Sequence, residues 1–378
     1  MKIALVVPHL FMHDEILPKV IFSPGRLAIW LAEGLQAEGH EVVLFTPGHI
    51  KTKVENRTAD LSNIEVELKQ RKYDLLTLLK KHPLTFITLA RQVQAELIAD
   101  VYEQANSDKF DIVHIWTNEE EIALVNARFC TKPVIFTHHE PFNFLVKYRS
   151  IFPKYTNLNW ICISKAQQQT LSINNHDFNP AGIVHHGIPK SLYKFNANPK
   201  DYFLYFGRII EPKGVHLAIN AAKKAGVRLK IAGKHYAGKK DEYWQEKILP
   251  QIDGSQIEYH GFAKALKDKQ DLLSNAQALL MPSIWSEPFG LVMIEALACG
   301  TPVIGFKTGA IPEVVDNNIT GYLVDYEENN DKRSVDSLIK KMQKISKIDR
   351  KTCRQEFEKR FTVKRMVAGY EKVYNRGY

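Results

Sequence analysis

An α/β fold of two Rossmann-like, doubly wound domains is predicted by three observations: chain length, an alternation of strands and helices, and the return of that alternation near the middle. At 378 residues the sequence exceeds what one hydrophobic core usually holds, and its 45% of hydrophobic residues can fill two. The strands read as unbroken apolar runs, as parallel strands covered by helices on both faces do.

Residues 3–7 (Ile-Ala-Leu-Val-Val) form the first strand. A loop ending at Ser23-Pro24-Gly25 leads to a helix over 27–38, which Gly39 stops, and 41–45 is the next strand. Strands over 133–136 and 160–163 follow. Residues 191–200, preceded by Pro189 and containing Asn196, Asn198 and Pro199, read as a linker. The pattern then restarts: a strand over 202–206, Gly207-Arg208 in a loop, a helix over 215–224 capped by Gly226, and a strand over 228–232. A strand over 277–281 precedes a helix opening near Pro288, and Gly300-Thr301-Pro302 ends that helix before the strand at Val303-Ile304. In the last segment, 361–374, Met366, Tyr370 and Tyr374 fall at helical spacing. Domains are expected at 1–190 and 201–360, with 361–378 as a closing helix, and a ligand at the carboxyl ends of both sheets would lie in the cleft between them.

Lys and Arg number 51 and Asp and Glu 42, a formal charge of +9 that favours anionic partners such as nucleotides, phospholipid surfaces or nucleic acid. Cys130, Cys162, Cys299 and Cys353 are too scattered for a disulfide framework or zinc site, which fits a reducing compartment. Met1-Lys2 runs straight into a strand, without a signal-peptide pattern, and no apolar run reaches the roughly 18 residues that span a bilayer. A cytoplasmic protein is expected. Lys69, Arg71, Lys72, Lys80 and Lys81 surround Leu75, Leu76, Leu78 and Leu79. That stretch is either a helix with its leucines in the core or a peripheral contact with the inner membrane face.

The chemistry concentrates in Ser286-Glu287-Pro288-Phe289-Gly290-Leu291-Val292-Met293-Ile294-Glu295, where two glutamates stand eight residues apart around a helix start. Pro288 can open a helix because its missing N–H has no intrahelical partner, and Gly290 admits a close ligand, so the N–H groups of Phe289, Gly290 and Leu291 would face a phosphate. Glu287 lies just outside and Glu295 about one and a half turns inside, two carboxylates suited to sugar hydroxyls.

This motif resembles the nucleotide-binding signature of family 4 retaining glycosyltransferases, which have the GT-B fold. The resemblance implies that Glu287 binds donor-sugar hydroxyls and Glu295 the ribose. It extends to Phe206-Gly207-Arg208 and Glu211-Pro212-Lys213-Gly214, where Arg208 and Lys213 would hold the leaving diphosphate, with Glu211 and Pro212 in the reverse of the usual order. It also covers Ile257-Glu258-Tyr259-His260-Gly261, and Gly309-Ala310-Ile311-Pro312-Glu313, in which Ala310 replaces a common second glycine. In the first half, which the family uses for the acceptor, Gly25 stands where donor phosphates are contacted and Arg26 replaces a glycine. His139, in Thr137-His138-His139-Glu140, matches a histidine beside the donor sugar, and His186-Gly187 stands for Asn-Gly. The final helix resembles one that crosses back onto the first domain.

Gly233 to Lys240 nearly spells a phosphate-binding P-loop, but Lys240 stands where a hydroxyl should hold magnesium. His9 and His13 lack a third zinc ligand in suitable spacing and read as structural or acceptor-site residues. No Asp-x-Asp pair occurs, so no metal or other cofactor is expected. The expected activity is retaining transfer of a hexose-type sugar from a nucleotide diphosphate sugar, UDP- or GDP-linked, to a hydroxyl of a glycan, lipid-linked sugar or small molecule. The donor, not nucleic acid, is then the anionic partner. A GT-B phosphorylase or epimerase, or a non-catalytic nucleotide-sugar-binding protein, is the alternative.

Overall fold

The computed structural model describes residues 1–116, 121–172, 178–235, 241–263 and 265–376. The chain divides into two compact units, the first made of Met1–Ile163, Gln168–His185 and Met366–Tyr378, the second of Ser164–Gln167 and His186–Arg365.

The first unit is built on a parallel sheet of β1 (Lys2–Val6), β2 (Glu41–Thr46), β3 (Glu55–Thr58), β4 (Ile112–Trp116), β5 (Val134–Thr137), β6 (Asn159–Cys162) and β7 (Gly182–Ile183) in the order 3-2-1-4-5-6-7. Ile3 pairs in register with Val42 on one side and Ile112 on the other. The apolar runs are buried as their composition requires, with Ala4, Val6, Phe45, Val113 and Phe136 packed against Leu97, Ile98 and Val101 of the helix Pro83–Asn106. The second unit holds β8 (Phe203–Phe206), β9 (Leu229–Ala232), β10 (Ile257–Tyr259), β11 (Leu279–Met281), β12 (Val303–Phe306) and β13 (Gly321–Val324), again parallel, in the order 10-9-8-11-12-13. In both sheets the chain reverses its direction of travel between two neighbouring strands, β1 and β4 in one, β8 and β11 in the other. These are the switch points outside which open α/β sheets bind ligands.

The closing helix, Val363–Tyr374, buries Met366, Tyr370 and Tyr374 and from Met366 onward belongs to the first unit. There the Tyr374 hydroxyl lies 2.7 Å from Nδ1 of the fully buried His114, whose Nε2 is 2.9 Å from the Thr137 hydroxyl. Burial lowers the pKa of His114 to about 3, so the ring is a neutral link between helix and sheet.

Several boundaries differ from the sequence reading. The first helix spans Ser23–Ala37, so Gly25 sits in its first turn and not in a loop. Pro24 tolerates that position because its missing N–H would have no partner, and its carbonyl accepts from Trp116 Nε1 at 2.9 Å. Residues 191–200 carry no helix or strand, yet they are tied down within the second unit. Asn196 N donates to Cys299 O, and Arg350 and Arg354 donate to the carbonyls of Asn196 and Tyr193. The basic leucine-rich stretch forms the helices Ser62–Arg71 and Leu75–Lys81, with Leu78 fully buried and Leu68, Leu75 and Leu79 packed in the same core cluster. All four cysteines are thiols, and burial pushes those of Cys299 and Cys353 up to about 12. No described helix is long and apolar enough to cross a membrane.

Candidate functional site

In the second unit the loops leaving β8 and β11 meet at the switch point. The β8 loop carries Gly207, Arg208 and a 3-10 turn, Glu211–Lys213. The Pro212 carbonyl accepts from the N–H groups of Ile284 and Trp285, both at 3.0 Å, which binds that turn to the β11 loop. Lys213 is thereby brought to Glu287: Nζ and Oε2 are in direct ionic contact, with each side chain 12% exposed, and Nζ lies 5.9 Å from the centre of the Trp285 ring. Arg208 is exposed, its carbonyl accepts from the Tyr205 hydroxyl at 2.7 Å, and its guanidinium makes no ion pair among the described residues. Burial raises Tyr205's phenol well above its ordinary range, so that group remains a donor.

The main chain at Glu287 is held from the far side as well. Ala310 N donates to Glu287 O at 2.7 Å and the Thr308 hydroxyl to Ser283 O at 2.6 Å. Gly309, at φ +52°, lies so close that an added Cβ would stand 2.2 Å from Glu287 N and 2.4 Å from its carbonyl oxygen. Only glycine fits both that conformation and that approach. Ala310 has φ −83°, ordinary for any L-residue, so its replacement of a glycine adds no backbone strain.

The helix beyond the motif is Leu291–Ala298, with Gly290 as its N-cap at φ +86°. This corrects the start expected at Pro288: a left-handed residue cannot lie inside a right-handed helix, so the regular turns begin only after Gly290. The first-turn N–H groups are those of Leu291 and Val292, and no side chain caps them. Pro288 remains half-buried beside them. Phe289 is 2% exposed, and its ring packs 4.9 Å from that of His186 and 6.2 Å from that of Phe361, so its side chain belongs to the core.

Glu295, just over one turn inside the corrected helix, is 9% exposed and doubly held. Oε1 accepts from the Tyr193 hydroxyl at 3.0 Å and Oε2 pairs with Lys269 Nζ at 2.5 Å, while Lys269 lies 5.1 Å from the centre of the Phe206 ring. Sequence reasoning missed both partners. Tyr193 lies in the segment read as a linker, and Lys269 is on the helix Leu266–Asn275, a polar surface helix with no motif.

The structure therefore brings Gly207, Arg208, Lys213, Glu287, Pro288, Gly290, Leu291 and Glu295 together in one unit. Gly25 and His139 lie in the other. An added Cβ at Gly25 would meet Met12 Sδ at 2.6 Å and Phe22 at 2.8 Å. His139, after β5, is 8% exposed with its ring 4.6 Å from that of Trp116. Its neighbour His138 turns into the core against Phe142, and burial lowers its pKa to about 4. His9 and His13 each accept a backbone N–H on Nδ1 at 3.1 Å, from Phe11 and Glu15. Among the described residues no group of three or more His, Cys, Asp or Glu is placed to hold a metal ion. Of the P-loop-like stretch, residues 236–240 lie outside the described residues.

The sequence model of glycosyl transferases group 1 matches residues 191–360, and that of Glycosyltransferase Family 4 matches 25–191. An uncharacterised glycosyltransferase of Methanocaldococcus jannaschii is 30% identical over 230 residues, 59% of this chain and 62% of its own length. A second from the same organism is 25% identical over 368 residues, 88% of this chain and 86% of the relative. The crystal structure of Anabaena Alr3699/HepE in complex with UDP and glucose shares the fold, with a TM-score of 0.66 at 17% identity over 98% of each chain.

Proposed function

Because the chain belongs to the group 1, family 4 glycosyltransferases, with the GT-B fold of two Rossmann-like domains, we propose that it transfers a hexose-type sugar from a nucleotide diphosphate sugar to an acceptor hydroxyl with retention at the anomeric carbon. One observation carries this reading: at the switch point of the second sheet, two cations, two held carboxylates and an uncapped helix start converge within one unit. A diphosphate would take its hydrogen bonds from Arg208, Lys213 and the first-turn N–H groups of Leu291 and Val292. Glu287 would accept from sugar hydroxyls and Glu295 from ribose hydroxyls. UDP in the Anabaena protein supports a uridine donor for a chain of this fold. The roles expected of Gly25 and His139 stay part of the proposal.

In this mechanism the acceptor oxygen forms its bond to the anomeric carbon on the face from which the diphosphate departs. The bond from that carbon to the phosphate oxygen breaks, and the acceptor proton passes to a leaving phosphate oxygen. Charge grows on the diphosphate in the transition state, so Arg208 and Lys213 act where differential stabilisation counts. Glu287 is paired with Lys213, and in this reading it binds the sugar hydroxyls and is not the nucleophile.

The test needs no knowledge of the acceptor. Incubation with UDP-glucose, and separately GDP-mannose, is expected to release nucleoside diphosphate slowly to water from at least one of the two donors, with NMR showing the α-hexose as the first product. First appearance of the β-anomer would overturn retention, and absence of both binding and turnover with either donor would overturn the donor class.

A further inference from the structure

The first sheet has a switch point of its own, between β1 and β4, and a cavity of about 210 Å³ opens beside the loop that leaves β1. His9 lines it from that loop, Lys147 from the helix Val146–Ile151, and Phe86, Ile87, Arg91 and Gln94 from the helix Pro83–Asn106. Ile87, Ala90, Arg91 and Gln94 recur at i, i+3, i+4 and i+7, so one helix face serves the cavity; Phe86 and Ala90 are shared with the core beneath it, to which Val93 and Leu97 also belong.

Each of its polar side chains carries a donor. His9 Nδ1 accepts the Phe11 N–H at 3.1 Å, which leaves the ring proton on Nε2, and Nε2 has no partner among the described residues. Burial lowers the His9 pKa to about 4, which keeps the ring neutral. Gln94 is only 6% exposed, and its amide makes no hydrogen bond among the described residues, so it is open to whatever fills the cavity and offers both a donor and an acceptor. Lys147 is paired with Glu121 at 2.5 Å, whereas Arg91 makes no ion pair among the described residues. The uncompensated charge at the cavity is therefore positive. The lining also carries an exposed apolar side chain, Ile87, which is 47% exposed.

We propose that this cavity binds the acceptor, and that the acceptor is an anionic amphiphile bearing the accepting hydroxyl, its phosphate or carboxylate head on Arg91 with hydrogen bonds from His9 and Gln94 and its apolar chain along Ile87. This assignment rests on the transferase reading above. An exposed apolar side chain in a net-positive, donor-lined cavity complements that class better than a neutral sugar, which would leave Arg91 without a counter-ion and Ile87 in water.

Calorimetry on the full chain tests it with octyl phosphate, octyl glucoside and glucose 1-phosphate, each below any micelle concentration. Octyl phosphate is expected to bind at least tenfold more tightly than either of the others. Arg91→Gln, at an exposed position, should weaken it about tenfold, the scale of one charge-assisted hydrogen bond, and Ile87→Ser should weaken octyl phosphate while leaving glucose 1-phosphate unchanged. Equal binding of octyl glucoside would overturn the anionic head, equal binding of glucose 1-phosphate the apolar chain, and indifference to Arg91→Gln the location. UDP affinity measured on the same samples separates the two readings. With UDP binding intact, failure of octyl phosphate to bind overturns only the acceptor assignment, and loss of UDP binding by the wild-type protein overturns the donor reading.

Discussion

Replacing each glutamate of the motif by glutamine should affect a free nucleoside diphosphate in opposite ways. An ionised carboxylate offers about four acceptor positions. In Glu295 two are taken, by Tyr193 at 3.0 Å and Lys269 at 2.5 Å. The positions left are those that ribose hydroxyls would use. Glu295→Gln turns one oxygen into a donor that faces those hydroxyls and removes the charge, so at least one charge-assisted hydrogen bond is lost, about 1.5–3 kcal/mol. The dissociation constant of UDP should therefore rise roughly ten- to a hundredfold. Tyr193→Phe, which vacates one acceptor position and keeps the charge, should cost no more than a few-fold. Glu287→Gln leaves Lys213 without its carboxylate partner, and a diphosphate without a sugar makes no use of Glu287. UDP affinity should then be unchanged or a few-fold tighter, while turnover of the nucleotide sugar falls. Isothermal titration calorimetry on the four proteins provides the measurement, with urea unfolding to confirm that the Glu295→Gln protein tolerates Lys269 without its carboxylate partner. Weaker UDP binding in Glu287→Gln combined with no change in Glu295→Gln would show that the two roles are exchanged.

Lys213→Ala and Arg208→Ala should each lower turnover at least a hundredfold, about 2.7 kcal/mol of transition-state stabilisation, because each cation acts on the departing diphosphate; near-normal rates in both would remove them from the mechanism. Activity should persist in EDTA, and loss of activity with rescue by manganese would reveal a metal site. Stability should fall as pH drops from 6.5 towards 4. His114 and His138 take up protons near 6.5 when unfolded but only near 3 and 4 when folded, so each withdraws about 2 kcal/mol by pH 5. Urea midpoints at pH 7.5 and 5.0, with a flatter dependence in His114→Asn, check this, and an unchanged wild-type midpoint would refute it.

What could be read in advance was what the chain encodes locally. Continuous apolar strands and helix stops at Gly39 and Gly226 placed the strands that were read to within a residue or two, although β3, β4, β7 and β13 were not read at all, and the loop cations and paired glutamates were visible as a motif. The misplaced helix start came from choosing the proline rule over the glycine one. Pro288 could begin a helix, but Gly290 adopts a left-handed conformation, next to a stretch where Gly309 and Ala310 hold the main chain of Glu287 from a loop more than twenty residues away. Tyr193 and Lys269 were hidden for the same reason. Tyr193 reaches Glu295 across 102 positions from a Pro- and Asn-rich stretch whose composition suggests a tether. Neither residue carries a spacing signal, because tertiary packing alone joins them to the site.

The seat of the closing helix has a consequence for how the protein is made. Met366 to Tyr374 complete the first unit, yet they leave the ribosome after the whole of the second. Until then the nascent first unit lacks Tyr370 and Tyr374, and the groove that will hold them, around His114 and Trp116, is uncovered. The first unit thus matures last although its synthesis begins first. A fragment ending near residue 190 would present that aromatic groove permanently to solvent, so severing the chain between the units yields a sticky half and not an autonomous domain.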